Sequence, residues 1–185
     1  HLLKGYIYSS LQEENKAIQF FHNAIDIDPT QEDAYVQLGL IYQQRKDSTA
    51  VLYYQNTLKI NPQNKMALFN LAKFYQDMEQ WNEAIESYTH LLQIYPTYVD
   101  AYYNIGFVHI KLGLYDVAAN DFSQAISFNP DFFEAFYSRG HCYETLGDIA
   151  RAESDYKKAI QIEDDYQNAK DALDALMKRN KQIKQ

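Results

Sequence analysis

Proline, alanine, small and aromatic residues return at a nearly constant interval along this chain of 185 residues. The prolines stand at Pro29, Pro62, Pro96 and Pro130, which are 33, 34 and 34 residues apart. Nearly the same interval separates the small residues Gly5, Gly39, Ala72, Gly106 and Gly140, the alanines Ala17, Ala50, Ala84, Ala118 and Ala152, and the aromatic residues Phe21, Tyr54, Tyr88, Phe122 and Tyr156. A repeat of this length indicates a row of similar short units, each too small to bury its apolar face alone.

Residues 99–130 show the pattern of one unit most clearly. Their apolar spacing predicts two amphipathic helices, with a turn at Gly113 and Leu114 and with Pro130 closing the second helix. The small residue of the first helix and the alanine of the second allow the two helix backbones to approach closely. The aromatic residue four positions after the alanine is expected to fill the space beside this contact.

Five units in register, with this order of small, alanine, aromatic and proline positions, resemble the tetratricopeptide repeat family over residues 1 to about 164. The resemblance implies an all-α fold, a right-handed α–α superhelix (solenoid) of about five helical hairpins. We predict a repeat array over residues 1–165, with units at about 1–31, 32–64, 65–98, 99–132 and 133–165. Residues 166–185 are predicted to form a C-terminal capping helix and a basic tail that contains Lys170, Lys178, Arg179, Lys181 and Lys184. The helix has Ala169, Ala172, Leu173, Leu176 and Met177 on one predicted apolar face.

Several departures from the pattern carry expectations of their own. The second unit lacks one residue between Tyr42 and Ala50, which predicts a tightened turn between its helices. His109 stands where other units have tyrosine, and we expect it to pack in the core. Arg139 interrupts an apolar position, so its stem should pack while its charged head reaches the surface beside an acidic neighbour. Asp155 is expected on a solvated face.

Net charge, apolar runs and cysteine content make some classes of partner and location less favourable than others. The formal net charge of −8 disfavours nucleic acid or an anionic membrane as the main partner. No apolar run approaches the roughly 18 residues of a membrane span. Cys142 is the single cysteine and cannot form an internal disulfide. It therefore does not indicate whether the protein functions in an oxidising or a reducing compartment. We expect a soluble protein of the cytoplasm or the periplasm.

The first residue is His1, which lies inside a predicted helix. We interpret the chain as cut from a longer protein or as having lost a leader. No polar lid covers the start of the array in the way that the predicted capping helix covers its end. We therefore expect an exposed or frayed first helix, through which the protein could self-associate.

Helical geometry separates a second face from the core on each first helix. With the small residue at zero and about 100° per residue, the residues one before, four before and three after it form one apolar stripe. The residues two before and one after it fall on another side, and those three before it lie near the edge of that side. This face, which we call the groove face, contains Gln37, Phe69, Asn70, Lys73, Tyr103, Asn104, Phe107, Tyr137, Ser138 and His141.

In the family that the chain resembles, this face lines a concave surface that binds extended peptides. Carboxamides such as those of Asn70 and Asn104 can donate and accept at once, which suits a peptide backbone. An alternative interpretation is that Tyr103 and Tyr137 simply pack against the neighbouring unit. Family members that hold the C-terminal carboxylate of chaperones need basic groove residues, whereas the position six before the small residue holds Asp33, Met66, Asp100 and Glu134. We expect this acidic position to repel a terminal carboxylate.

No pattern of catalytic or metal-binding residues stands out. The histidines His1, His22, His90, His109 and His141 lie in different units, without the spacing of metal ligands on one helix face. No phosphate-binding glycine loop or nucleophile elbow occurs. We therefore predict a non-enzymatic scaffold without cofactors that binds a protein or peptide. The alternative is a targeting or self-association module of a larger enzyme or cell-envelope assembly.

Overall fold

The computed structural model describes residues 1–183, and this range forms eleven α-helices and no β-strand. In chain order the helices are α1 (Leu2–Ser10), α2 (Glu14–Ile27), α3 (Glu32–Gln44), α4 (Thr49–Ile60), α5 (Lys65–Asp77), α6 (Trp81–Ile94), α7 (Val99–Lys111), α8 (Tyr115–Phe128), α9 (Phe133–Thr145), α10 (Ile149–Ile162) and α11 (Gln167–Ile183). The predicted all-α fold is confirmed. Lys184, part of the predicted basic tail, lies outside the described residues.

Residue contacts divide the chain into two compact units, His1–Ile94 and Tyr95–Gln185. In the first unit α1, α3 and α5 each pack against the helix that follows, which gives three hairpins. In the second unit α7 packs against α8, α9 against α10, and α11 against α10. The first helices of neighbouring hairpins also touch, α3 against α5 and α7 against α9, so within each unit these helices lie side by side.

The turn inside each hairpin has the same backbone structure although its sequence varies. A residue with positive φ follows each first helix: Gln12 (59°), Lys46 (55°), Glu79 (58°), Gly113 (75°) and Gly147 (81°). The N–H of the next residue donates to the carbonyl five residues earlier, as Leu114 does to His109 at 2.9 Å. This is the hydrogen bond of the Schellman helix end, which satisfies a carbonyl that the helix leaves unpaired.

The predicted tightening of the second hairpin's turn is wrong. The Asp47 N–H donates to the Tyr42 carbonyl at 2.9 Å, the same bond as in the other hairpins. The missing residue shortens the helix instead, because α4 has 12 residues where α6, α8 and α10 have 14. The Asp47 carboxylate accepts from the N–H and the hydroxyl of Thr49 at 2.8 and 2.6 Å, which satisfies the shortened helix end.

Close approach between the two helices of a hairpin explains the small, alanine and aromatic positions. The alanine is fully buried in all five hairpins. A Cβ added to Gly39 would lie 2.5 Å from Cε1 of Tyr54, and one added to Gly106 would lie 2.9 Å from Cε1 of Phe122. The aromatic ring therefore lies directly against the small residue, as predicted, and at Gly39 and Gly106 it leaves no room for a side chain unless the ring or the helices move.

Where the aromatic residue is tyrosine, its hydroxyl has a partner at one fixed position, four residues after the small residue. The hydroxyls of Tyr54, Tyr88 and Tyr156 donate to Gln43, Gln76 and Glu144 at 2.6, 2.9 and 2.6 Å. The two hairpins with phenylalanine have Ser9 and Ile110 at that position. This pairing is not among the sequence-based predictions, although its signal is visible in the sequence: an amide or carboxylate stands at that position only where the ring has a hydroxyl.

The helix α11 packs against α10 in the second unit. Ala169 and Leu176 are almost fully buried, and Ala172 and Leu173 pack beside Leu176. Met177 was predicted on the same face, but it is 36% exposed and that part of the prediction is wrong. Among the described side chains of α11, only those of Ala169 and Leu176 are buried.

The first helix α1 is formed and leaves apolar side chains exposed, as expected. Leu3 and Ile7 are 76% and 55% exposed. No helix within residues 1–183 combines the length and the apolar composition that a membrane crossing requires.

Candidate functional site

The ten residues of the groove face all lie on first helices and are all accessible to solvent. The first unit contributes Gln37 from α3, and Phe69, Asn70 and Lys73 from α5. The second unit contributes Tyr103, Asn104 and Phe107 from α7, and Tyr137, Ser138 and His141 from α9. Because α3 touches α5 and α7 touches α9, each compact unit presents its own part of the groove face.

Asn70 and Asn104 occupy the same position in the third and fourth hairpins and have the same geometry. The Nδ2 of each donates to the carbonyl four residues earlier in its own helix, Met66 at 2.9 Å and Asp100 at 2.7 Å. These bonds fix the orientation of each amide. The Oδ1 atom and the second N–H of each amide have no recorded partner among residues 1–183, so each can accept one hydrogen bond and donate another.

The two predicted groove tyrosines have packing partners. The Tyr103 ring centroid lies 5.4 and 4.9 Å from those of Phe122 and Phe132. The Tyr137 centroid lies 5.8 Å from that of Tyr156 and 5.4 Å from that of Tyr166. Both ring partners of Tyr103 and one of those of Tyr137 belong to the same predicted unit as the tyrosine itself, and only Tyr166 lies beyond it, so packing is mainly within a unit and each tyrosine leaves part of its ring accessible.

The structure brings two of the predicted residues together from adjacent hairpins. The Tyr103 hydroxyl oxygen lies 3.5 Å from Oγ of Ser138. Tyr103 thus connects the buried rings beside it with a polar group on α9.

Lys73, Phe69 and Phe107 have neighbours on their own hairpins, whereas the neighbour of His141 lies on the preceding hairpin. Lys73 forms an ion pair with Asp77, with 2.6 Å between Nζ and Oδ1, so its charge is compensated locally. Phe69 lies 5.9 Å from the Tyr88 ring, Lys111 Nζ lies 5.1 Å from the Phe107 ring centre, and His141 lies 6.2 Å from the Tyr115 ring. The face is consequently polar and aromatic, with little net positive charge of its own.

The acidic position six before the small residue is accessible in both units. Asp33 and Asp100 are exposed and Glu134 is partly buried, while Met66 is 52% exposed. The Asp33 charge also reaches the first helix, because it adds to the effect of burial in raising the pKa of Tyr6. Negative charge beside the groove face opposes a bound carboxylate and favours a neutral or basic segment.

The titratable residues between helices form packing pairs. Nδ1 of His109 lies 2.6 Å from Oδ2 of Asp121, and the His109 side chain is only 14% exposed, which confirms its packing role. Burial raises the pKa of Asp121, and the contact with His109 opposes this shift.

Arg139 differs from the expectation. Its Nε and Nη2 donate to Asp155 at 2.7 and 2.8 Å, and its Nη1 donates to Ser123 at 3.0 Å. The side chains of Arg139 and Asp155 are 19% and 7% exposed, so the expected surface position of the arginine head and the solvated position of Asp155 are both wrong. An arginine and a carboxylate can be buried together when two parallel hydrogen bonds join them and their remaining polar atoms also have partners. The acidic neighbour expected for Arg139 is therefore present, but it is buried.

The pKa values of two further groups, the thiol of Cys142 and the carboxyl group of Glu163, are raised above their ordinary values. Cys142 is buried, and burial raises the pKa of its thiol to about 12, with a smaller contribution from Asp121. Glu163, Asp164 and Asp165 place carboxylate oxygens within 4.8 Å of one another in the turn before α11. A side-chain hydrogen bond with Asp165 and the neighbouring negative charges raise the pKa of Glu163.

Five segments of the chain match protein-family models. Models described as tetratricopeptide repeat match residues 1–31, 53–86, 99–132 and 133–166, and a model described as TPR repeat matches residues 75–113. No curated protein matches the chain in sequence.

Several solved structures share the fold at low sequence identity. A crystal structure of MamA protein is 23% identical, covers 88% of this chain and 90% of its own, and superposes with a TM-score of 0.79. YrrB, described as a TPR protein with an unusual peptide-binding site, is 22% identical over 91% of this chain and 87% of its own, with a TM-score of 0.75. A tetratricopeptide repeat protein from Parabacteroides merdae is 21% identical over 95% of this chain and 70% of its own, with a TM-score of 0.82. These similarities confirm the solenoid class of fold.

Proposed function

Because the chain belongs to the tetratricopeptide repeat family, we propose that it is a non-enzymatic protein-interaction scaffold whose groove face binds an extended segment of a partner protein. The observation that carries this proposal is the shared geometry of Asn70 and Asn104. Each amide is held by its own helix and keeps one acceptor and one donor for a ligand. A donor and an acceptor at one point match the N–H and the carbonyl of a peptide backbone, whatever its side chains are.

The aromatic residues contribute to the same surface in a different way. Tyr103 and Tyr137 are fixed by ring contacts on one side, so an incoming side chain meets rings that lose little conformational entropy on binding. The exposed acids at Asp33 and Asp100 favour segments with neutral or basic side chains over segments that end in a free carboxylate. The structural neighbour YrrB is described as having an unusual peptide-binding site, which supports peptide binding as the kind of function proposed here.

Selection from a phage-displayed library of random linear peptides tests the proposal. The affinity of enriched peptides is then measured by fluorescence anisotropy for the wild type, for Asn70→Ala, for Asn104→Ala and for the double variant. Each amide hydrogen bond contributes about 0.5–1.5 kcal/mol net. Removing both amides should therefore weaken binding about 5- to 150-fold for peptides that make one hydrogen bond to each amide, and more for peptides that use the donor and the acceptor of each.

The matched control is Asn82→Ala with Asn120→Ala, since both asparagines are exposed and lie on second helices. Tyr103→Ala is a poor test because it removes the contacts with Phe122 and Phe132 as well. Enriched peptides that bind the Asn70 and Asn104 variants as tightly as the wild type would place the binding surface elsewhere. A library without enriched peptides would contradict binding of an extended segment.

Self-association through α1 is a second candidate function, favoured by one observation. The position two residues after the small residue is almost fully buried in Ile41, Phe74, Val108 and Cys142, but Ile7 at the same position is 55% exposed. Exposed apolar surface of this kind marks contact sites. If α1 mediates self-association, sedimentation velocity should show a concentration-dependent increase in mass that Ile7→Gln abolishes and the control Leu52→Gln, at a side chain 52% exposed on α4, does not. A single monomeric species at all concentrations would exclude it.

A further inference from the structure

A cleft of about 530 Å³ opens on the third hairpin, within the first compact unit. Its lining includes Leu71 and Tyr75 from α5 and Glu83, Glu86, Ser87 and His90 from α6. At about 100° per residue, Tyr75 lies roughly 160° around α5 from Lys73 of the groove face, so the cleft is a separate surface. No feature of the repeat pattern predicts this cleft.

The cleft occupies a place that other hairpins fill with a side chain. The residue three after the small position on the first helix faces the residue three after the alanine on the second helix. In the first two hairpins these are ring pairs, Tyr8 with Phe20 at 5.2 Å and Tyr42 with Tyr53 at 5.3 Å, both stacked. In the third hairpin the pair is Tyr75 with Ser87. The serine supplies no ring, which leaves one side of Tyr75 open to the cleft.

The equivalent tyrosines of other hairpins each hold a cation from the chain itself. Lys16 Nζ lies 5.0 Å from the Tyr8 ring centre, and the guanidinium carbons of Arg45 and Arg151 lie 5.6 and 4.1 Å from those of Tyr42 and Tyr143. Among the described residues, no such cation is recorded at Tyr75. A cation over an aromatic ring within about 6 Å is attracted by the ring's negative face.

The fifth hairpin shows what fits in this place. Arg139 stands where the third hairpin has Leu71, and Asp155 stands where it has Ser87. The Arg139 guanidinium lies between the Tyr143 ring, 5.8 Å away, and the Asp155 carboxylate, to which it donates two hydrogen bonds. The third hairpin lacks this guanidinium and has free space instead.

Negative charge surrounds the open place in the third hairpin. Glu83 and Glu86 line the cleft, and both act on the phenol of Tyr75: burial raises its pKa first, and the two carboxylates raise it further. A ring face with two carboxylates beside it attracts a cation more strongly than a neutral ring.

We propose that this cleft binds an arginine side chain of a partner polypeptide, with its guanidinium over the Tyr75 ring and its charge compensated by Glu83 and Glu86. Arginine is preferred to lysine because its planar group stacks on an aromatic face and donates to two carboxylates at once. The site is independent of the groove face and could engage a different part of the same partner.

The probe for a first test is N-acetyl-arginine methylamide, titrated into the ¹⁵N-labelled full chain and followed by NMR. We expect saturable shifts at Ser87 and its neighbours, and none with the citrulline analogue, which has the same shape without the charge. Glu83→Gln with Glu86→Gln should weaken binding about fivefold, since exposed ion pairs contribute little individually. Ser87→Tyr should abolish binding, because it recreates the ring pair of Tyr42 with Tyr53 and fills the cleft.

The control variant Glu79→Gln with Asp116→Asn removes the same net charge from exposed positions outside the cleft and should bind as the wild type does. Equal shifts with the arginine and citrulline probes, or unchanged affinity in the Glu83 and Glu86 variant, would overturn the proposal. So would a Ser87→Tyr protein that keeps its helical spectrum and still binds. Since Asn70 and Asn104 are unchanged in all these variants, failure here is distinguishable from failure of the groove face.

Discussion

The close contact between Gly39 and the Tyr54 ring gives a prediction about stability. Gly39→Ala adds a methyl group whose carbon would lie 2.5 Å from Cε1 and 2.8 Å from Cδ1 of Tyr54. The ring cannot turn away easily, because it is fully buried and its hydroxyl donates to Gln43 at 2.6 Å. The same change in the fourth hairpin, Gly106→Ala, meets the Phe122 ring at 2.9–3.1 Å, and that ring has no hydroxyl to hold it.

Two opposing contributions determine the size of the effect. Replacing glycine by alanine inside a helix stabilises by about 1 kcal/mol. Overfilling a packed interior costs about 1–3 kcal/mol, and the cost rises with the movement required. We place Gly39→Ala near the upper end, which gives a net loss of about 2 kcal/mol, and Gly106→Ala near the lower end, where the two contributions cancel.

Hydrogen exchange resolved by residue is the appropriate assay, because it reports the two compact units separately. Amides of α3 and α4 in Gly39→Ala should lose protection by about 2 kcal/mol, whereas amides of α7 and α8 in Gly106→Ala should keep it. Adding Tyr54→Phe should reduce the cost of Gly39→Ala, because the ring is then free to move.

The third hairpin defines the refuting result. It combines Ala72 with Tyr88, whose hydroxyl also donates to Gln76, so a methyl group and a held ring coexist there. If Gly39→Ala is as stable as the wild type, α3 and α4 can reach that arrangement freely. The close approach of α3 and α4 would then not require glycine at position 39.

Three further predictions concern buried groups. Arg139→Leu leaves Asp155 buried without its partner and should lower the free energy of unfolding, measured with urea, by about 3–5 kcal/mol. The double variant Arg139→Leu with Asp155→Ser recreates the Leu–Ser pair of the third hairpin and should recover all but about 1 kcal/mol of this loss. An equal loss in both proteins would contradict this reasoning. Cys142 should react with iodoacetamide only on unfolding, because burial raises the pKa of its thiol to about 12; rapid labelling of the native protein at neutral pH, detected by mass spectrometry, would show that the site opens. Burial raises the pKa of Tyr54 above its ordinary value and the pKa values of Tyr53 and the Cys142 thiol to about 12, so the folded state keeps protons that the unfolded state loses. The free energy of unfolding should begin to fall above about pH 8, where the thiol of the unfolded chain ionises, and should fall more steeply above about pH 10, where its tyrosines ionise; a stability that rises over this range would contradict the linkage.

The helices were predictable because their pattern is strong in each unit. In residues 99–130, for example, the two predicted amphipathic helices are α7 and α8, and the predicted turn at Gly113 and Leu114 lies between them. Helix ends are set by capping bonds that several residue types can make, as Lys46 and Glu79 do in turns where other hairpins use glycine.

The side-chain partners were harder to predict than the helices. The contacts between side chains depend on rotamers and on small displacements between helices. The identity of a residue at one position shows neither of these. The core role of His109 followed from its place in a tyrosine position, but its pairing with Asp121 did not. A lone arginine in an apolar position usually extends to solvent, and nothing in the repeat pattern singles out Asp155 as a buried partner for Arg139.

The partnership between the tyrosine hydroxyls and the amide or carboxylate four residues after the small position has an evolutionary implication. A gene exchange that joined the first helix of one hairpin to the second helix of another would pair Tyr54 with Ile110, or Phe122 with Gln43, and each hybrid would bury a polar group without its match. An exchange that breaks the gene between whole hairpins keeps each tyrosine together with its amide or carboxylate partner. Successful shuffling of this chain should therefore occur at the proline-containing joints, with each hairpin inherited intact.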